Sequence, residues 1–192
     1  MNTKTTNLMI VGVGGQGSLL ASKLLGKLLV DEGYDVKVSE VHGMSQRGGS
    51  VVTYVRYGEK VYSPIVTEGE ADFIISFEKL EAARYAKFLK KDGRIIVNTQ
   101  QIDPMPVIIG AAEYPENVLD ELTAKGLKVE ALDALTPAET AGSAKAVNIV
   151  LMGRAAKYFD IPYDSWIKAI ENTVAPKFIE MNKKAFELGY NS

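Results

Sequence analysis

An apolar run from Leu8 to Val11 passes directly into Gly12-Val13-Gly14-Gly15-Gln16-Gly17 and then into an amphipathic segment, and nothing else in the chain restricts its fold as strongly. A continuous apolar stretch closed by glycine reads as a central parallel strand buried on both faces. From Ser18 to Val30, Leu20, Leu24, Leu25, Leu28 and Leu29 recur at spacings of three and four, opposite Ser22, Lys23, Gly26 and Lys27. That pattern lays one stripe of a helix against a sheet. Asp31-Glu32-Gly33 ends the helix, and Tyr34 to Val38 reads as a second strand, completing a βαβ opening with an expected right-handed crossover.

Ser50 to Tyr57 is dense in β-branched and aromatic residues, and Gly58-Glu59 ahead of Lys60-Val61-Tyr62 reads as a hairpin turn. Phe73 to Phe77 is expected as a buried strand, Lys79 to Lys90 as a helix and Arg94 to Asn98 as a strand. Pro104 and Pro106 set a loop before a short extended piece at Val107 to Ile109. Asn117 to Lys125 reads as a helix, Lys128 to Leu132 as a strand, and Ser143 to Tyr158 as a helix apolar nearly all round and therefore buried. Two amphipathic helices broken at Pro176 fill Asp164 to Leu188, with the single Trp166 as their anchor. The expected fold class is α/β: a Rossmann-like, doubly wound, mostly parallel sheet with a β-hairpin insertion and C-terminal helices, forming one domain over residues 1–192.

Composition removes several function classes. The chain has 192 residues, 46% of them hydrophobic and 24% charged, which suits one compact domain with a sizeable core. A formal net charge of -2 gives no electrostatic reason to expect nucleic acid or an anionic membrane. Cysteine is absent, which excludes disulfides, thiolate zinc sites, a nucleophilic thiol and cysteine-ligated iron-sulfur clusters carried by this chain. No apolar run approaches the roughly 20 residues of a membrane span, and the first residues lead into a strand rather than a signal peptide. A cytoplasmic location is expected.

Glycines 12, 14 and 17 fit G-x-G-x-x-G, in which the first permits the tight turn, the second lets the backbone approach a pyrophosphate and the third lets helix pack on strand. Amides at the following helix N-terminus face an anion with a favourable dipole. The same glycine turn also closes a strand onto a helix with nothing bound. A dinucleotide needs an acid to hold the ribose, and Glu40 lies 23 residues after Gly17, near the usual spacing of about 20, although it could equally cap its loop or pair with Arg47. No Walker lysine follows the glycines, because Gln16-Gly17-Ser18 stands in its place.

A second cluster, Ser39 to Ser50, packs Glu40, the only histidine His42, Ser45, Gln46 and Arg47 among Gly43, Gly48 and Gly49, directly after a strand end. Strand C-terminal ends are where open α/β sheets bind ligands. Arg47 offers a planar bidentate donor to phosphate or carboxylate, and Gly48-Gly49 can form a nest of amides. His42 either works as an acid or base or fixes the loop by hydrogen bonding. Asn148, amid Ala146, Val147, Ile149 and Val150, must find partners if buried, and reads as an amide tying helix to sheet. Tyr54, Tyr57 and Tyr62 read as packing or subunit-contact residues, since no basic patch accompanies them.

Gly12-Val13-Gly14-Gly15-Gln16-Gly17 followed by Ser39-Glu40-Val41-His42-Gly43-Met44-Ser45-Gln46-Arg47-Gly48-Gly49-Ser50-Val51 resembles the beta subunit of the indolepyruvate ferredoxin oxidoreductases, a gamma-type domain of the 2-oxoacid:ferredoxin oxidoreductase family. The resemblance extends through Val55-Arg56-Tyr57-Gly58, the strand Ala71 to Glu78 and the helix around Asn148, Met152 and Gly153, and so covers most of the chain. It implies a subunit of an anaerobic, archaeal or bacterial type of enzyme that decarboxylates an arylpyruvate, transfers the acyl group to coenzyme A and passes electrons to ferredoxin. In that family a larger alpha subunit carries thiamine diphosphate and the iron-sulfur clusters, and a heterotetramer is the implied assembly. No cofactor is then expected on this chain alone, in keeping with its lack of cysteine and of a Gly-Asp-Gly with a following Asn-Asn. The resemblance places Gly14, Gly15, Gln16 and Gly17 against a phosphate or the partner's loop, and Ser45, Gln46 and Arg47 towards the cofactor-bearing cleft. Two other readings stay open: a free-standing NAD(P)-binding oxidoreductase using Gly12 to Gly17 and Glu40, and an interaction module whose glycine loops bind nothing.

Overall fold

The structure, a computed structural model, describes residues 5–40 and 44–192. Its strands are β1 (Thr6–Val13), β2 (Asp35–Glu40), β3 (Ser50–Gly58), β4 (Ala71–Ser76), β5 (Leu89–Asn98) and β6 (Lys128–Leu132). The helices are α1 (Ser18–Asp31), α2 (Lys79–Tyr85), α3 (Met105–Ile108), α4 (Val118–Ala124), α5 (Leu135–Ala141), α6 (Val147–Ala156), α7 (Tyr163–Thr173) and α8 (Ile179–Asn191). One sheet runs in the order β2-β3-β1-β4-β5-β6. Strands β1, β4, β5 and β6 are mutually parallel, while β3 lies antiparallel between β1 and β2. This is the expected α/β class, with helices on both faces of a mostly parallel sheet.

Period-two alternation along β1 supplies both cores. Leu8 and Ile10 face the layer of α1 and the C-terminal helices, with Ile75 and Ile96 beside them. Met9 and Val11 face the layer of α2 and α4, with Ile74, Ile95 and Val97. Helix α6 is buried around nearly its whole circumference, as its apolar sequence requires. Gly153 of α6 and Gly189 of α8 make this possible, since a Cβ on either would stand 2.2 Å or less from a carbonyl oxygen of the other helix. Trp166 of α7 is fully buried and packs on Phe159 and on Phe186 of α8, with ring centroids 5.5 and 5.6 Å away.

The hairpin is not where the turn residues suggested. It joins β2 to β3 through the second glycine cluster, and residues 60–62 form no strand. Instead Asp35 Oδ2 accepts from the Val61 amide at 2.9 Å, and the Arg56 guanidinium donates to the Ser63 and Ile65 carbonyls. Strand β3 carries Val51, Val52 and Val55 into the cores and so takes the interior place beside β1, leaving the less buried β2 at the edge. The opening β1-α1-β2 therefore spans two sheet positions.

Smaller differences have local causes. Residues 105–108 are helical rather than extended, because Pro104 stands at the N-cap and Pro106 in the first turn, where a missing N–H costs nothing. Strand β5 begins at Leu89, ahead of the expected turn, because Asp92 takes a positive φ of 68° and its register with β4 shifts there. Helix α5 had no clear apolar period to announce it. No helix among the described residues is long and apolar enough to cross a membrane.

Candidate functional site

Because β1, β4, β5 and β6 are parallel, their C-terminal ends share one edge, and the loops that follow them meet there. The glycine turn after β1 is one of these loops. Gly14 lies under the second cluster: its amide donates to the Gly49 carbonyl at 2.8 Å, and a Cβ on it would stand 2.2 Å from the Ser45 carbonyl oxygen and 2.4 Å from the Gln46 carbonyl carbon. The two clusters thus form a single loop pair. The upper loop is a 3-10 turn, Met44 to Gln46, closed by Arg47 N–H to Met44 O and Gly49 N–H to Ser45 O, both 2.9 Å, with Gly48 at a φ of 93°.

Gln16 does not point at a ligand. Its Oε1 accepts from the Val13 amide at 2.8 Å, and its Nε2 donates to the Phe77 carbonyl at 3.0 Å and to Gln100 Oε1 at 3.3 Å, stitching together the ends of β1, β4 and β5. Gly12 leaves it room, since a Cβ there would lie 2.9 Å from Gln16 Oε1. Gly17, with φ 87°, begins α1 without a side-chain cap, and its carbonyl accepts from Asn148 Nδ2 at 3.0 Å. Asn148 is therefore a satisfied interior amide, holding α6 against the turn before α1. Gly15 is exposed with φ 104° and open space around its Cα.

What the edge offers a ligand is the exposed Gly15 and Gly48 backbone together with Gln46 and Arg47, both exposed. The Arg47 guanidinium donates to Met44 Sδ at 3.3 Å, a weak acceptor. Ser45 contributes its carbonyl to the loop closure. The Glu40 carboxylate accepts from Ser22 Oγ of α1, and β3 separates β2 from the glycine turn where a ribose acid would be needed. His42 lies outside the described residues.

Beneath this edge is a polar layer that sequence reasoning did not assemble. Asn98, almost fully buried, accepts from the Ala134 amide at 3.1 Å and donates to Phe77 O and Gln100 Oε1. Glu78, also buried, caps α2 by accepting from the Glu81 amide at 2.9 Å, and its other oxygen accepts from the Ile102 amide and the Tyr114 hydroxyl. Burial, reinforced by that bond to Glu78, pushes the Tyr114 hydroxyl well above its ordinary pKa. The available signal was positional: Glu78 and Asn98 each close an apolar strand, where a polar side chain must find partners. Among the described residues no group of three or more His, Asp or Glu is placed to hold a metal.

Tyr57 is a packing residue: it meets Tyr34 and Phe159 at 5.2 and 6.2 Å, and burial raises its pKa to about 12. Tyr62 is exposed.

The sequence profile described as pyruvate ferredoxin/flavodoxin oxidoreductase matches residues 7–192. The chain belongs to that family. It is 46% identical to the protein named indolepyruvate oxidoreductase subunit IorB of Thermococcus kodakarensis, over 97% of this chain and 95% of the relative. The crystal structure of pyruvate oxidoreductase subunit PORC from Thermotoga maritima superposes with a TM-score of 0.73 at 20% identity, covering 98% of this chain and 97% of that one. A 2-oxoglutarate:ferredoxin oxidoreductase from Magnetococcus marinus superposes with a TM-score of 0.70 at 17% identity, over 98% of this chain but only 31% of the longer one. As a member of the pyruvate ferredoxin/flavodoxin oxidoreductase family, the chain is an oxidoreductase subunit whose fold occurs both as a separate chain and as part of a larger one.

Proposed function

We propose that this chain is the small subunit of a heteromeric arylpyruvate (indolepyruvate) ferredoxin oxidoreductase, which converts the oxoacid and coenzyme A to acyl-CoA and carbon dioxide with electrons passed to ferredoxin. The chain is non-catalytic alone and completes the substrate and coenzyme A side of a site whose thiamine diphosphate and iron-sulfur clusters sit on a larger alpha subunit, in a cytoplasmic heterotetramer. The reading rests on the family and on what the edge lacks and offers. It has no cysteine to ligate a cluster, and its described loops bring exposed amides and Arg47 to one place.

The single observation that carries it against a free-standing NAD(P) enzyme is the occupant of Gly14. In a dinucleotide fold the second glycine lets a pyrophosphate approach the backbone. Here the peptide of Ser45 and Gln46 takes that approach, and the expected ribose acid Glu40 is spent on Ser22. The loop pair is therefore read as a surface offered to a second subunit and its anionic substrates.

The test is reconstitution with the cluster-bearing subunit. Arg47→Ala should assemble normally and raise the KM for coenzyme A or the oxoacid, while Arg47→Lys, which keeps charge but loses the planar fork, should recover part of the loss. Unchanged kinetics would remove Arg47 from the site. Tight NAD(P) binding with hydride transfer by the chain alone would overturn the assignment as a whole.

A further inference from the structure

We infer that Glu81 is the positioning residue of this site, holding the Ser45-Gln46-Arg47-Gly48-Gly49 loop in place from the far side of the sheet edge. The inference rests on the functional reading of that loop given above. Glu81 is in the first turn of α2, where an acid is ordinarily a solvated partner of the helix dipole. It is instead only 4% exposed. One carboxylate oxygen accepts from Ser50 Oγ, and the other accepts from Arg84 Nε at 3.1 Å. The Tyr85 hydroxyl lies 3.4 Å from the same Ser50 oxygen.

Ser50 is the residue through which this contact reaches the site. It follows Gly49 directly, and it pairs with Val13 in the ladder between β3 and β1. The connection therefore runs from the Glu81 carboxylate to Ser50, to the Gly49 carbonyl and so to the Gly14 amide beneath the loop. A buried carboxylate that accepts from a hydroxyl and a guanidinium has its charge compensated, and removing it leaves both donors without that acceptor. Buried acceptance by an ionised group is among the stronger hydrogen bonds available, which suits it to fixing a glycine-rich loop with little other side-chain packing. Glu78, the N-cap of the same helix, holds the loop after β5 by accepting from the Ile102 amide.

Hydrogen exchange on the full chain reads the bracing directly, at the Gly14 amide that joins the two loops and at the Arg47 and Gly49 amides that close the upper one. Glu81→Ala and Ser50→Ala should speed exchange at these amides by roughly tenfold or more, the cost of one charge-assisted bond, with α1 and β4 unaffected. Glu81→Gln, which can still accept from Ser50, should restore most of the protection. In the reconstituted complex Glu81→Ala should raise the KM for the same substrate whose KM Arg47→Ala raises, at little change in kcat, and the two substitutions should combine non-additively because they act through one loop. Unchanged exchange at the three amides in both Ala variants would overturn the bracing role. Faster exchange with unchanged KM would leave the bracing intact and overturn the reading of the loop as part of the site. Ser50→Ala, a smaller change, keeps the test decisive should Glu81→Ala not fold.

Discussion

Gly14 and Gly49 come from segments separated by a helix and a strand, yet the Gly14 amide meets the Gly49 carbonyl at 2.8 Å. The space a Cβ on Gly14 would need is already filled by the Ser45 and Gln46 backbone. Gly14→Ala must therefore lift the 44–49 loop, and in the reconstituted enzyme it should lose most activity while the chain remains folded. Gly126→Ala, in the loop before β6 and away from the site, is the control. Nothing lies within 4 Å of its Cβ, so its cost is the left-handed backbone alone, about 1 kcal/mol. Thermal denaturation and turnover measured on both variants check this; equal activity loss would show that the contact over Gly14 does not matter.

Asn148→Ala removes the amide that ties α6 to the carbonyl of Gly17. That carbonyl keeps the Leu20 and Ala21 amides as partners, so it is not orphaned, and the expected loss is about 1 kcal/mol rather than the larger cost of a bare buried acceptor. Urea unfolding measures it. A loss several times greater would mean that Asn148 also organises the α1 N-terminus.

Gly189→Ala should be the most damaging small substitution in the C-terminal layer. Its Cβ would fall 2.0 Å from the Val150 carbonyl oxygen, backbone against backbone, where no rotamer change can relieve the contact. Overpacking of this kind costs about 3 kcal/mol or more. A matched Gly153→Ala, 2.2 Å from the Phe186 carbonyl, should behave alike, and the pair should couple because both separate α6 from α8. Unfolding midpoints of the single and double variants decide it.

Asp35 shapes the acid limb of stability. Its hydrogen bond to Lys37, with the Val61 amide next in effect, holds its pKa at about 2 against an ordinary 3.8. A folded-state pKa below the unfolded one contributes stability that is complete above the unfolded value and is lost as pH falls towards the folded one. The edge strand should accordingly weaken between about pH 4 and about pH 2, and Asp35→Asn should flatten that part of the profile. Urea midpoints taken across this interval would show no difference between the two proteins if the contact is unimportant.

Much of the fold could be read directly from residue patterns. The run Leu8 to Val11, the glycine turn, the leucine stripe of α1, the mostly apolar α6 and the break at Pro176 each announce themselves locally, because periodicity and turn chemistry are properties of neighbouring residues. Strand adjacency is not. Gly58-Glu59 has turn composition, but β3 pairs backwards with β2 because its valines are worth more in the interior than at an edge. The candidate site divides the same way. Its glycines and Arg47 stood out by spacing, whereas the inward turn of Gln16, the diversion of Glu40 to Ser22 and the reach of Glu81 to Ser50 depend on atoms brought together from distant positions.

By itself the sequence determined an α/β chain with a glycine turn after its first strand, a second glycine loop with an arginine, and no thiol with which to hold a metal cluster. Tertiary packing decided what stands over those glycines. With β3 inserted beside β1, the second loop returns across Gly14, and its Ser45 and Gln46 backbone fills the space a Cβ there would need. The physical reason is steric: glycine leaves room for close contact, and only the packed chain shows whether a ligand or another stretch of backbone fills it.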